Sequence, residues 1–150
     1  MGGIGKNVIC QVALVVRDII ATAGHYARVF GVEVPDVRET EGHDTTGSTY
    51  RGKPTQGRAK LAFFDMGSVQ LELIEPIGGP STWQEHLDAH GEGVHHLAFR
   101  VQGMDDTVQR LESEGLELVQ HGSFPGGRYA YLDASESLKV VIELLESTGK

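Results

Sequence analysis

The chain has 150 residues, of which 39% are apolar and 23% charged, and this is enough for one domain with a hydrophobic core. The net charge of −8 argues against nucleic acid as a partner, because binding to phosphates needs an excess of positive charge. No apolar stretch approaches the roughly 18 residues of a membrane span. The single cysteine, Cys10, excludes an internal disulfide and favours a reducing, cytoplasmic location.

The first predicted elements are a strand, a helix beginning near Asp18, and a second strand after Gly31. The same pattern returns later, because residues 11–34 can be aligned with residues 96–119. In this alignment Gln11 falls on His96 and Gly31 on Gly115. Each copy therefore predicts a strand, a helix capped by glycine, and a further strand.

Residues 39–58 are polar and rich in glycine and threonine, which predicts a long loop with room for some strand. Segments of this length in compact domains are often functional. Five basic residues lie in or beside this loop: Arg38, Arg51, Lys53, Arg58 and Lys60. Two interpretations remain open, a solvated surface and a rim that binds an anionic substrate, with Arg51, Lys53 and Arg58 as substrate-binding candidates.

The second half of each copy also repeats, since residues 60–76 resemble residues 128–146. Each reads as an aromatic strand, a turn built around aspartate, and an apolar strand, which is the pattern of a hairpin. Between the copies, residues 80–91 predict a linker helix that Pro80 and Ser81 open and Gly91 ends.

The repeat predicts an α+β fold made of two tandem βαβββ modules, at about residues 8–76 and 93–146. We expect them to form one domain over residues 1–150, with a curved, barrel-like mixed sheet around a cavity and the helices outside.

Four residues occupy equivalent positions in the two modules: Gln11 and His96 open the first strand, and Glu72 and Glu143 lie within the last. A lone carboxylate in a buried strand costs several kcal/mol unless it is paired or bound to metal. One divalent cation would explain both glutamates together, with an imidazole and an amide oxygen as further ligands. The alternative is that Glu72 is simply solvated, although the apolar neighbours of Glu143 fit that interpretation poorly.

The other histidines give no comparable signal. Strict alternation along residues 94–101 places His95 with Leu97, Phe99 and Val101, which predicts a packed, structural histidine on the face opposite His96. The sequence contains no HExxH or CxxC motif, so a local zinc motif is absent.

The segments VQLELIEP, GEGVHHLAFRV and VVIELLE resemble sequences of the vicinal oxygen chelate superfamily, and within it those of the methylmalonyl-CoA epimerases. The resemblance covers about residues 8–146 and implies Gln11, Glu72, His96 and Glu143 as ligands of Zn²⁺, Co²⁺, Ni²⁺ or Mn²⁺. It also implies Glu143 as the catalytic base, a small-molecule substrate such as an acyl-CoA or a thiol adduct, and a homodimer.

Two departures from the epimerases stand out. The first metal ligand of the epimerases is usually a histidine, whereas here it is Gln11. The resulting set of four ligands is similar to that of zinc-type glyoxalase I. Epimerases also carry a glutamate before the VAF-like strand, and here Thr55 and Gln56 are the nearest residues, with no carboxylate between Asp44 and Asp65.

Three hypotheses follow. The first is a metal-dependent isomerase or lyase, epimerase-like, that removes a proton next to a carbonyl or thioester. The second is a lactoylthiol lyase of the glyoxalase I type. The third is a metal-free protein that binds drugs or other small molecules.

Overall fold

The computed structural model describes residues 3–148, which form ten strands and four helices. The strands are β1 (Gln11–Val15), β2 (Arg38–Glu39), β3 (Thr49–Tyr50), β4 (Lys53–Pro54), β5 (Arg58–Asp65), β6 (Gln70–Ile77), β7 (Gly93–Arg100), β8 (Glu117–Phe124), β9 (Gly127–Ala134) and β10 (Val140–Ser147). The helices are α1 (Ile19–Phe30), α2 (His43–Thr46), α3 (Thr82–His90) and α4 (Met104–Ser113).

The ten strands form one mixed sheet in the order β2-β5-β6-β1-β7-β10-β9-β8-β3-β4. Its centre is the antiparallel pair of β1 and β7, and each of these pairs in parallel with the last long strand of its own module, β6 or β10. Outwards from this pair, β6-β5-β2 on one side matches β10-β9-β8 on the other. The predicted repeat of two βαβββ modules is therefore confirmed, as is the curled mixed sheet.

The connection between β2 and β3 shows why the sheet curls. These strands lie eight positions apart in the sheet, which is about 38 Å in a flat sheet at about 4.8 Å per strand. The nine connecting residues include the single turn α2 and can span only about 27 Å. The sheet must bend to bring its two sides within reach, and residues 40–48 cross between them.

The helices α1 and α4 cover the outer face of the sheet, as predicted. The buried residues of α1 pack with Val16, Phe64 and Leu73, and those of α4 pack in the same way with the second module, around Leu132 and Leu144. The start and end of α1 agree with the sequence. Asp18 caps it by accepting a hydrogen bond from the Ala21 amide, and Gly31 ends it in the left-handed region at φ 67°.

Two glutamates on strands of the sheet cap the N-termini of α1 and α4. The Glu75 carboxylate accepts a hydrogen bond from the Ile19 amide at 3.0 Å, and Glu146 accepts from the Gly103 and Met104 amides at 2.6 and 2.9 Å. Both are the last residue of the repeated LELIE and IELLE segments. A carboxylate at a helix N-terminus satisfies free amides and interacts favourably with the helix dipole.

The linker helix α3 packs against the inner face, opposite α1 and α4. Trp83 is buried there among Val15, Ile74 and Val141, and its indole nitrogen donates to the Tyr131 hydroxyl at 3.0 Å. The predicted bounds of this helix, residues 80–91, enclose the observed ones.

The predicted loop at residues 39–58 contains the hairpin β3–β4, which adds to the free edge of β8. Tyr50 and Arg51 in this hairpin both bind the Glu85 carboxylate of α3. Gly57 lies so close to Pro80 that an added Cβ would clash with the Pro80 carbonyl oxygen. The segment is therefore tied to both ends of the sheet and to α3. Over residues 3–148, no helix is long and apolar enough to cross a membrane.

Candidate metal centre

The structure brings together the four residues that the repeat predicted as ligands. Gln11, Glu72, His96 and Glu143 lie on β1, β6, β7 and β10, which are the four central strands of the sheet. Strand register explains the convergence, because Ala13 is opposite both Glu72 and His96, and Ala98 is opposite Glu143. The small alanines leave room for the longer side chains to meet above them.

The distances describe a cluster centred on the Nε2 atom of His96. Glu143 Oε2 lies 2.7 Å from it, Gln11 Oε1 3.0 Å, and Glu72 Oε1 3.4 Å. The ligand atoms of the two glutamates and the histidine all lie within 4.8 Å of one another. The four residues are 6, 7, 0 and 5% exposed, in chain order. The solvated interpretation of Glu72 is therefore wrong.

Burial and charge shift the pKa values within this cluster. Loss of hydration raises the pKa of Glu72, and the nearby Glu143 carboxylate adds to the effect, while His96 opposes it. Burial alone would lower the pKa of His96, but the charge and hydrogen bond of Glu143, together with Glu72, raise it to about 9. Without a cation, the cluster thus holds a proton on the imidazole between two carboxylates.

The donor set fits a divalent cation. Within residues 3–148, neither carboxylate forms an ion pair with lysine or arginine, so two buried acidic side chains share a single imidazole as their ionic partner. The Gln11 amide nitrogen donates to Gln70 Oε1 at 2.7 Å, which leaves the amide oxygen facing His96 Nε2 at 3.0 Å. Two carboxylate oxygens, an imidazole nitrogen and an amide oxygen suit Zn²⁺, Co²⁺, Ni²⁺ or Mn²⁺.

The predicted position of His95 on the opposite face is wrong. The pairing of β1 with β7 shifts register so that Leu14 is opposite Val94 and Ala13 is opposite His96, which leaves His95 as an extra, bulged residue. A β-bulge re-aims side chains, and the His95 ring points to the inner face. There it contacts His96 and Tyr131 at ring-centroid distances of 5.1 and 5.4 Å. It is nevertheless a buried, hydrogen-bonded histidine, as expected.

Thr55 is one of the two residues that lie nearest in the sequence to the expected second base, and its hydroxyl is not a base at neutral pH. Thr55 is buried, and its hydroxyl donates a hydrogen bond to the Pro80 carbonyl oxygen. The phenol of Tyr131 is the nearest titratable neighbour of the cluster on β9. Burial, followed by the Glu143 and Glu72 charges, holds its pKa well above the ordinary value, so the phenol keeps its proton and does not act as a base.

The basic residues predicted to meet an anionic substrate are largely engaged with carboxylates. Arg51 Nη2 lies 2.7 Å from Glu85 Oε1, and Arg58 Nη1 lies 3.5 Å from Glu39 Oε1. Lys53 is exposed on β4, the last strand at that side of the sheet. Their role in substrate binding stays a prediction.

Sequence reasoning missed Gln70 and Tyr131 as partners of the cluster. Gln70 lies two residues before Glu72, and this spacing places two strand residues on one face. Tyr131 is directly opposite Glu143 in the β9–β10 hairpin. Both could have been found by applying strand alternation to the neighbours of the predicted ligands.

A curled mixed sheet of two βαβββ modules, with a buried carboxylate–imidazole cluster at its centre, is the architecture of a class of proteins built on paired modules. The model of the glyoxalase/bleomycin resistance protein/dioxygenase superfamily matches residues 10–131, and the chain belongs to this superfamily.

Curated relatives include proteins with and without an assigned activity. The uncharacterized protein YqjC of Bacillus subtilis is 34% identical over 97 residues, which cover 61% of this chain and 68% of YqjC. The ethylmalonyl-CoA/methylmalonyl-CoA epimerase of Cereibacter sphaeroides is 24% identical over 113 residues, which cover 75% of this chain and 74% of the epimerase.

Solved structures share the fold. Methylmalonyl-CoA epimerase from Mycobacterium tuberculosis superposes with a TM-score of 0.65 at 24% identity, over 94% of this chain and 88% of that one. A methylmalonyl-CoA epimerase in complex with methylmalonyl-CoA and NH₄⁺ gives a TM-score of 0.64 at 24% identity, over 95% of both chains.

Proposed function

We propose that this protein is a metal-dependent isomerase or lyase, epimerase-like, that abstracts a proton next to a carbonyl or thioester. The observation that carries the proposal is the convergence of Gln11, Glu72, His96 and Glu143 in a buried cluster that lacks a balancing lysine or arginine within the described chain. The epimerase-like fold supports the type of chemistry.

The four side chains would hold the cation, with His96 giving Nε2 and Gln11 its amide oxygen. A bound divalent cation acts as a Lewis acid and stabilises negative charge that develops on a substrate oxygen. Glu143 would accept the proton from the carbon acid through a carboxylate oxygen, because it is the ligand-side carboxylate aligned with the family's base. Trp83, Leu87 and Tyr131 would exclude water from the inner face around this oxygen.

A lactoylthiol lyase of the glyoxalase I type is the second candidate. It is favoured by a specific observation, the hydrogen-bonded Thr55 in the region where an epimerase needs a second base. Epimerisation removes a proton on one face of a carbon and returns one on the other, so it calls for two acid–base groups. Transfer of a proton between adjacent carbons on one face needs only one group, and Glu143 could serve alone. The Gln11, Glu72, His96 and Glu143 set fits this reaction equally well.

The substrate is expected to be an acyl-CoA or a thiol adduct, and the protein to form a homodimer. The exposed Lys53, together with Arg51 and Arg58, would bind the anionic part of such a substrate. For the two arginines this requires exchange of Glu85 and Glu39 for substrate groups, which is feasible because exposed ion pairs contribute little stability.

Metal content tests the first step of the proposal. Protein purified without a His-tag or added metal should contain about one divalent ion per chain, and Glu143→Ala should lose it. Glu112→Ala, which removes an exposed carboxylate from α4, is the matched control and should keep the metal. An absence of metal, with no stabilisation by Zn²⁺, Ni²⁺, Co²⁺ or Mn²⁺, would favour the metal-free binding protein instead.

Two assays separate the candidate reactions. Racemic methylmalonyl-CoA in deuterated water should exchange its α-proton if the epimerase version is right, and methylglyoxal mixed with several thiols should be consumed if the lyase version is right. Glu143→Gln should abolish either activity. Protein that is fully metal-loaded and inactive in both assays would contradict both versions.

A further inference from the structure

Two consecutive histidines share the inner face because of the bulge in β7. A regular strand would send His95 and His96 to opposite faces, but the extra residue in the pairing with β1 turns His95 towards the cluster. Both rings are fully buried, at 1 and 0% exposure. Bulges next to active sites commonly re-aim a side chain, so the position of His95 requires an explanation in terms of the cluster.

The hydrogen bonds of His96 determine where its ring proton lies. Its Nε2 atom faces Gln11, Glu72 and Glu143, so this nitrogen must offer its lone pair if a cation is bound. A neutral imidazole with a free lone pair on Nε2 carries its proton on Nδ1. That Nδ1 atom lies 2.8 Å from Nδ1 of His95, so His96 donates and His95 accepts.

The same reasoning extends one residue further, to α3. Because His95 accepts at Nδ1, its own ring proton lies on Nε2. The hydroxyl of Thr82 is 3.3 Å from this atom, at the first residue of α3. Thr82 is itself held by a hydrogen bond from its backbone amide to Gln120 Oε1 at 2.8 Å. A chain of hydrogen bonds thus runs from α3 through His95 to the cluster.

We propose that His95 is a positioning residue, which fixes the tautomer and ring orientation of His96, and that Thr82 of α3 fixes His95 in turn. The inference rests on the proposed metal site and deepens it. Ligating histidines usually donate their second N–H to a carboxylate, a carbonyl or water, and loss of that partner weakens metal binding. Here a neutral imidazole takes this role, so the position of α3 is coupled to the geometry of the ligand.

Substitution of His95 tests the proposal. His95→Phe keeps the ring but removes the acceptor, and the dissociation constant for Zn²⁺ or Co²⁺, measured by competition with a chromophoric chelator, should rise about ten- to a hundredfold. His95→Asn should restore much of the affinity, because its Oδ1 stands at the position of Nδ1. Thr82→Val should weaken binding by less. His86→Phe alters another ring in contact with His95 and should leave the affinity unchanged.

A spectroscopic readout separates positioning from packing and works without metal. The Nδ1 proton of His96 should give a slowly exchanging imidazole resonance in the metal-free wild-type protein. This resonance should be retained in His95→Asn and lost in His95→Phe. If His95→Phe does not fold, Thr82→Val and His95→Asn still decide the question through the same resonance and the same affinities.

The possible failures are distinguishable. A wild-type protein that binds no metal but shows the protected resonance would contradict the proposed function and still support the hydrogen bond between His95 and His96. A folded His95→Phe protein with wild-type metal affinity, or a wild-type protein without the resonance, would overturn the positioning role.

Discussion

His96 lies at the centre of the candidate site, because both candidate carboxylates reach the same ring nitrogen. Its place in the candidate site could be predicted, since the repeat aligned His96 with Gln11 and Glu72 with Glu143. Its surroundings could not. Strict alternation assigned His95 to the wrong face, because a single extra residue in a strand leaves no clear mark in the pattern of apolar residues.

The charge state of His96 predicts how metal binding depends on pH. Its pKa of about 9 lies above the ordinary value of 6.5. The bound proton therefore stabilises the metal-free protein below about pH 6.5, and this contribution is lost as the pH rises through about 9. Since a cation must displace this proton, the apparent dissociation constant should fall about tenfold per pH unit from neutrality to about pH 9 and then level off.

Calorimetric titration with Zn²⁺ in buffers of different ionisation enthalpy measures both the dissociation constant and the number of protons released. We expect about one proton released per ion bound at neutral pH. An affinity that stays flat over the window would show that His96 is unprotonated in the metal-free cluster, and so that the two carboxylates do not act on it as the distances indicate.

At the scale of single elements, the two outer helices start in different ways. Asp18 caps α1 through its own side chain, in agreement with the sequence. In contrast, the N-cap residue of α4 is Gly103, which has no side chain that could accept a hydrogen bond. Glu146 supplies the missing acceptor from β10, 43 residues along the chain from Gly103. Local reasoning cannot find a cap of this kind, although the repeat of LELIE as IELLE marked both capping glutamates.

We predict that Glu146→Ala lowers the free energy of unfolding by about 0.5–2 kcal/mol, which is the usual range for loss of an N-terminal cap. Glu146→Gln should cost less, because its amide oxygen still accepts from the Gly103 and Met104 amides. Chemical denaturation monitored by circular dichroism measures both changes, and Glu112→Ala on the exposed face of α4 is the control. Equal stability of Glu146→Ala and Glu112→Ala would show that α4 needs no cap from the sheet.

The stabilisation that Glu146 gives to α4 also depends on pH. Hydrogen bonds from the Met104 amide and the Arg128 guanidinium lower the pKa of Glu146. A lowered carboxyl pKa contributes stability above the ordinary value, and that contribution disappears as the pH falls through the lowered one. The difference in stability between wild type and Glu146→Ala should therefore shrink under acid conditions.

At the scale of the whole molecule, the candidate ligands join the two modules. Gln11 and Glu72 belong to the first, and His96 and Glu143 to the second, so a bound ion links both halves across the central β1–β7 pair. The crossing segment links the halves again, because its hairpin β3–β4 pairs with β8 of the second module. Predicted homodimer formation would add a further interface, and the sedimentation of the purified chain tests it.

Metal should therefore stabilise the fold as a unit. A hundredfold excess of free ion over the dissociation constant is expected to add about 2.7 kcal/mol, which raises the midpoint of thermal unfolding by about 5–10 °C. Differential scanning calorimetry with and without Zn²⁺, on wild type and on Glu143→Ala, measures the shift. An equal shift in both proteins would place the responsible ion elsewhere.

The repeat, the fold that follows from it and the four candidate ligands could all be predicted from the sequence alone. Apolar alternation and helix caps are local, and a duplicated module places equivalent residues at equivalent points of a shared sheet. The partners of those ligands became evident only once the strands were paired and the helices packed. The bulge at His95, the amide of Gln70 and the docking of α3 on the inner face all depend on strand register and on packing between distant segments, which no local pattern records.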